Sequence, residues 1–229
     1  MREPFDDLLE RYARLVVRVG VNVQPGQDVV IRALPEQADV ARALAEEAYR
    51  VGAAHVSIDY EDRHAMRSAI RHAPEAELGR VDPADLARIE GWAESRPALI
   101  GLTGNPLPSL MDGLDPARMA KAAPTELLGA LMGLASTNTV AWTMVGAPTK
   151  GWADSVGVAD VAALWDAVAT AMRLDEADPV AAWRDHAAKL RVRADLLTRR
   201  GFDRVRYRGP GTDLTLGLPA GARWQGGAT

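Results

Sequence analysis

Apolar and charged residues alternate along residues 202–208 (Phe202-Asp203-Arg204-Val205-Arg206-Tyr207-Arg208), the period of a half-buried strand. Gly209-Pro210-Gly211 is turn chemistry, and residues 212–218 alternate again, so the two runs predict a hairpin. Upstream the period changes. Phe5, Leu8, Leu9, Tyr12, Leu15, Val16 and Val19 lie on one helical face, with Pro4 in the first turn. Residues 23–27 read as a turn and 28–33 as a short buried strand. A helix follows over 36–51, with Val40, Leu44, Ala48 and Val51 inward and Gly52 as its C-terminal cap, and then a strand over 55–60. Strand, helix, strand at this spacing is a βαβ unit and requires a parallel pair. Further helices are predicted over 64–73 and 82–95, from Asp115-Pro116, and over 125–134. Strands are predicted over 97–103 and 139–145. Asp160 caps a helix with the stripe Val161, Leu164, Val168 and Met172. Asp178-Pro179 starts the most regular one, with Trp183, Ala187, Leu190, Ala194 and Leu197 in line and Gly201 at its end.

The fold class is therefore α/β: an open, mostly parallel sheet with flanking helices, then two long helices, then the opening hairpin of a second, truncated domain. The expected division is 1–145 as the α/β domain, 146–201 as a helical connection packed on it, and 202–229 as the start of an incomplete C-terminal domain. A lone hairpin is marginal in water, which makes the last segment read as unfinished.

Composition narrows the partners. With 48% apolar and 25% charged residues the chain can bury a core and remain soluble. Its net charge of −4, without any Lys/Arg run, argues against nucleic acid. The absence of cysteine excludes disulfides and thiolate zinc sites. The acidic, amphipathic N-terminus lacks a signal-peptide core, and no apolar run reaches membrane length, so a cytoplasmic protein without membrane contact is expected.

Ligands of open parallel sheets bind beyond the carboxyl ends of the strands. There the first strand-to-helix turn, Ala33-Leu34-Pro35-Glu36-Gln37, has no glycine and carries a carboxylate where a phosphate would sit, which disfavours a nucleotide site. Asp59, Glu61, Asp62 and His64 are acceptable hard-metal ligands close together, but a solvated loop explains them more simply. His64 and His72 are two helical turns apart, too far to share an ion. His186 flanks the stripe of its helix and reads as packed, and Trp142, Trp152, Trp165 and Trp183 read as core. Neither H-E-x-x-H nor G-x-S-x-G occurs.

Four segments carry a resemblance. These are Leu15-Val16 with Val23-Gln24-Pro25-Gly26-Gln27; Ala147-Pro148-Thr149-x-x-Trp152-Ala153; Asp178-Pro179-x-x-x-Trp183-x-x-His186; and Arg208-Gly209-Pro210-Gly211-Thr212-Asp213 through Arg223-Trp224-x-Gly226-Gly227. In this order they resemble the N-terminal portion of the thermophilic metallo-aminopeptidases of the T/S type, peptidase family M29. The resemblance implies a homodimeric hydrolase that removes N-terminal residues from short peptides. It also implies two divalent ions of the zinc, cobalt or manganese class, held by glutamates, histidines, an aspartate and a tyrosine beyond the junction segment. No catalytic or metal-ligating residue is therefore assigned within this chain, no ion is expected in it alone, and substrate-binding residues stay unassigned. The alternative is a free-standing α/β binding or interaction module without catalysis.

Overall fold

The computed structural model describes residues 5–226; Pro4 and Gly227 lie outside them. Four strands, β1 (Asp28–Ala33), β2 (His55–Tyr60), β3 (Ala98–Thr103) and β4 (Trp142–Gly146), form one parallel sheet in the order β2-β1-β3-β4. The helices around it are α1 (Phe5–Leu15), α2 (Ala38–Arg50), α3 (Arg63–His72), α4 (Pro83–Ser95), α5 (Pro116–Lys121), α6 (Thr125–Ser136), α7 (Lys150–Ser155) and α8 (Val161–Ala171). A second element group holds α9 (Pro179–Arg200) and the antiparallel hairpin β5 (Arg204–Gly209) and β6 (Thr212–Gly217). The chain divides into compact units at 1–177 and 178–229. The α/β architecture with a parallel sheet is as the periodicity predicts. Among the described residues no helix is long and apolar enough to cross a membrane.

Aspartates start the helices. Asp62, Asp82, Asp115, Asp160 and Asp178 each accept a backbone N–H in the first turn of α3, α4, α5, α8 and α9, at 2.7–3.1 Å. Such caps satisfy donors that a helix cannot pair internally, at about 1 kcal/mol each. In three of these helices proline follows the cap, where its fixed φ suits the helix and its missing N–H costs nothing.

The core lies on both faces of the sheet. Val30, Ile89, Trp92 and Val140 cluster on one side, with Leu99, Leu127 and Leu131 packed against them, so α4 and α6 cover that face. By strand alternation Val29 and Ile31 point the other way, and both are fully buried. Helix α2 lies against β1 and β2, and α1 lies against α2. Burying a Leu or Ile side chain contributes roughly 1.5–3 kcal/mol, so Leu44, Ile31 and Ile100 are major contributors.

Two findings depart from the pattern. The first helix ends its α-helical course at Leu15 and continues as one π-helical turn, Val16–Gly20. The inward stripe of α2 includes Glu47, which is 1% exposed, whereas Val51 is a half-buried cap residue. Glu47 is tolerable there because Arg18 donates to Oε1 at 2.7 Å and Arg50 to Oε2 at 2.9 Å. Removing either partner strands a buried charge, which is the expensive event at such a site.

Tyr12 ties three elements together. It is fully buried, donates its hydroxyl to Gly146 O at 2.8 Å, and meets Trp165 edge-on with ring centroids 5.4 Å apart. Burial pushes its phenol well above the ordinary tyrosine range. A folded-state value raised above the unfolded one leaves stability intact below the unfolded value, about 10, and removes it as pH rises beyond. Alkaline denaturant melts of the wild type should therefore lose at most about 1.4 kcal/mol per pH unit from this group. Tyr12→Phe should abolish that component and cost about 1 kcal/mol at pH 7 for the lost hydrogen bond. Tyr12→Ala should cost roughly 3–5 kcal/mol.

Candidate functional site

In the order β2-β1-β3-β4 the chain steps from β1 outward to β2, then returns past β1 to reach β3. The crevice between the carboxyl ends of β1 and β3 is thus the place where an open α/β sheet normally admits a ligand. Here Gln37 fills it. This side chain is 2% exposed; its amide nitrogen donates to Thr103 O at 3.0 Å and Gly104 O at 3.1 Å, and its Oε1 accepts Leu34 N–H at 2.9 Å. The turn after β1 is one 3-10 turn, Pro35–Gln37, with Glu36 exposed beside it. No backbone N–H cluster is left to cradle a phosphate, since Leu34 N–H is already bonded. Sequence reasoning did not single out Gln37. The signal was its position three residues after Leu34, the spacing at which a glutamine reaches back to a helix-start N–H.

The neighbouring corner, after β3 and β4, is packed as tightly. Thr149 is buried and its Oγ1 accepts Trp152 N–H at 3.3 Å, capping α7, a helix that periodicity did not predict. Gly104 has φ +108°, and a Cβ there would strike Ala147 O at 2.6 Å and the Trp152 ring at 2.8 Å. A Cβ on Gly151 would collide with Pro106 O. Pro148-Thr149-x-x-Trp152-Ala153 is therefore a steric clamp holding loop 104–108 against the start of α7. Outside the clamp lies a shallow cleft of about 330 Å³ lined by Pro106, Leu107, Pro108, Leu110, Lys150 and Asp154. The last two residues pair across one turn of α7 at 2.6 Å.

The acidic group after β2 does not converge. Asp59 pairs with Arg88 at 2.7 Å, Glu61 with Arg63 at 3.3 Å, and Asp62 caps α3 through His64 N–H and Ala65 N–H. His64 and His72 are exposed at opposite ends of α3. His186 is half-buried and meets Trp183 edge-on at 5.5 Å. Among the described residues no three His, Asp or Glu side chains come together as metal ligands. The donor set present does not fit a metal pair. Of the tryptophans, Trp165 is core, and Trp152 and Trp183 are half-buried. Trp142 corrects the core expectation: it is 49% exposed, on β4, an edge strand of the sheet.

Over residues 5–229 the chain matches the model of a family described as thermophilic metalloprotease (M29). It is 37% identical over 237 residues to aminopeptidase T of Thermus aquaticus, across 99% of this chain and 57% of that protein. It is 35% identical over 231 residues to aminopeptidase PepS of Streptococcus thermophilus, across 96% and 55%. The solved structure titled wild-type AmpT from Thermus thermophilus is similar with a TM-score of 0.85 at 32% identity, covering 99% of this chain and 57% of that one. The chain spans a little over half the length of these relatives.

Three substitutions test this packing, at the crevice, at the clamp and, as a contrast, at an open helix position. Gln37→Glu turns two donated bonds into carboxylate–carbonyl repulsion, so it should destabilise strongly at pH 7. The deficit should narrow as pH falls and the protonated acid can donate again, read from denaturant melts across pH. Gly151→Ala should lower stability through the Pro106 clash. Gly129→Ala, with open space around it in α6, should raise stability by up to about 1 kcal/mol.

Proposed function

Because the chain belongs to the thermophilic metalloprotease (M29) family, we propose that it is the N-terminal, non-ligating part of a metal-dependent aminopeptidase that releases N-terminal residues from short peptides. The observation that carries this reading is the family match over residues 5–229, together with a shared fold at 32% identity across 99% of the chain. The relatives matched are themselves named aminopeptidases.

In this reading the metal is a pair of divalent ions of the zinc, cobalt or manganese class, and its ligands belong to the remaining portion of the relatives' length. The residues described here contribute a rigid wall. Gln37 seals the sheet, the clamp around Trp152 fixes loop 104–108, and no titratable cluster competes for the ions. Residues 1–145 and 146–201 are the proposed supporting part, and 202–229 the proposed entry to the catalytic domain. One face of the hairpin fits that assignment. Val205 pairs with Leu216 and Tyr207 with Leu214, so four apolar side chains share a side, and Tyr207, Leu214 and Leu216 are each about half exposed. The proposed enzyme is a cytoplasmic homodimer.

Chain 1–229 alone should hydrolyse no aminoacyl-p-nitroanilide, and calorimetry should show no tight binding of zinc, cobalt or manganese. A polypeptide extended to the relatives' full length should do both. Metal-dependent turnover by 1–229 would overturn the assignment of the ligands to the remaining portion.

A further inference from the structure

Charge is divided unevenly along the chain. Residues 178–229 hold ten Lys/Arg and five Asp/Glu, a net +5 in a chain of net −4. Nine of the ten cations are arginine, the side chain whose planar fork matches a carboxylate. Within this unit the 22-residue helix α9 has one covered side. Ala187 and Ala194 are each 7% exposed there, and Thr198 Oγ1 accepts Trp224 N–H at 2.9 Å.

The helical period orders the opposite side. Steps of four set Arg184, Ala188, Val192, Leu196 and Arg200 in one row, apolar in the middle and cationic at both ends. Asp185, Lys189 and Arg193 form the row on one flank, and Arg191, Asp195 and Arg199 the row on the other. All of these residues are exposed, Val192 at 67% and Leu196 at 45%. The face therefore carries six cations against two carboxylates. Among the described residues none of the six makes an ion pair or a side-chain hydrogen bond. Exposed apolar residues scattered singly are ordinary, but here two are neighbours and cations ring them.

We propose that this face of α9 docks an acidic amphipathic helix of another protein. The partner's carboxylates lie against the two flanking rows, and its apolar residues cover Ala188, Val192 and Leu196. A row at steps of four, with a groove on each side, is what a second helix packs into, ridge between ridges. An apolar centre rimmed by arginine is also the anatomy of a protein–protein contact. Other anions fit less well. Nucleic acid would use the arginines and leave Val192 and Leu196 idle, and a bilayer needs a broader apolar face than three modest side chains. Charge complementarity also directs the partner to this unit, because residues 1–177 carry a net −9 and repel an acidic protein. The contact is small, so the association is weak and reversible. This inference is independent of the aminopeptidase reading.

Fluorescence anisotropy with chain 1–229 tests it. The probe is a labelled synthetic helical peptide with a row of alanine and leucine flanked by glutamates. Its control has the same residues dispersed evenly round the helix. Saturable binding of the patterned peptide is expected, at least about tenfold tighter than that of the control. Arg191→Glu/Arg199→Glu should weaken it at least about tenfold. Val192→Ser leaves the charge unchanged and should weaken it about fivefold by removing apolar contact. All three positions are exposed, so circular dichroism should match the wild type. If the double variant fails to fold, Val192→Ser decides. Equal binding of the two peptides, or indifference to Val192→Ser, would overturn helix docking and leave diffuse ionic attraction. No binding at about 1 mM peptide would overturn the surface altogether. Tighter binding of duplex DNA or of phosphatidylserine vesicles, lost in the double variant, would overturn the acidic helix as occupant.

Discussion

The unit 1–177 depends on how its sheet is closed where the chain reverses direction between β1 and β3. An open parallel sheet leaves backbone groups unpaired at that point, and burying them bare would cost roughly 1–3 kcal/mol each. Gln37 settles two of them with one side chain, accepting from Leu34 and donating to Gly104, and adds a second bond to Thr103 O, which already accepts Ala147 N–H. The position of Gly104 then follows. Its left-handed φ and missing Cβ let Ala147 and the Trp152 ring come within contact distance, and Gly151 lets α7 start directly on loop 104–108. Tyr12 reaches the same corner from α1 through Gly146. One amide thus sets the loop that the neighbouring elements pack upon.

The same closure explains why the described residues at the switch point of a fold so often used for ligand binding form no ligand constellation. The position that would receive a phosphate is occupied by protein. The acidic residues beyond β2 are spent on Arg88, on Arg63 and on a helix cap. Function accordingly enters through family membership and not through a local cluster. A supporting role is proposed for this portion, and the chemistry of the family for the remaining length of its relatives.

Much of the fold is legible in the residues because local rules and tertiary packing agree. β1 and β2 coincide with the alternating or apolar runs 28–33 and 55–60, and Asp82-Pro83, Asp160 and Asp178-Pro179 mark helix starts by capping chemistry. What escapes is what depends on neighbours distant in sequence. Helix α7 is six residues long, too short for a periodic signal, and Pro148-Thr149 reads equally as a turn. Glu47 is buried only because Arg18, from another element, comes to meet it. Trp142 has a core-like pattern, and its exposure follows from strand order, which no local period encodes. Asp62 looks like a ligand until α3 is seen to begin beside it. For Gln37 the spacing is readable, but its bonds to Thr103 and Gly104 are not.

Hydrogen exchange at the backbone amide of Leu34 tests the closed switch point most directly. This amide lies just outside β1, in a turn, and its hydrogen-bond acceptor is the side chain of Gln37. A closed crevice predicts protection close to that of the β1 amides, unaltered by added inorganic phosphate or ATP. Exchange as fast as in an exposed loop, or a change on adding either anion, would show that the crevice opens and admits ligand, and would contradict this account.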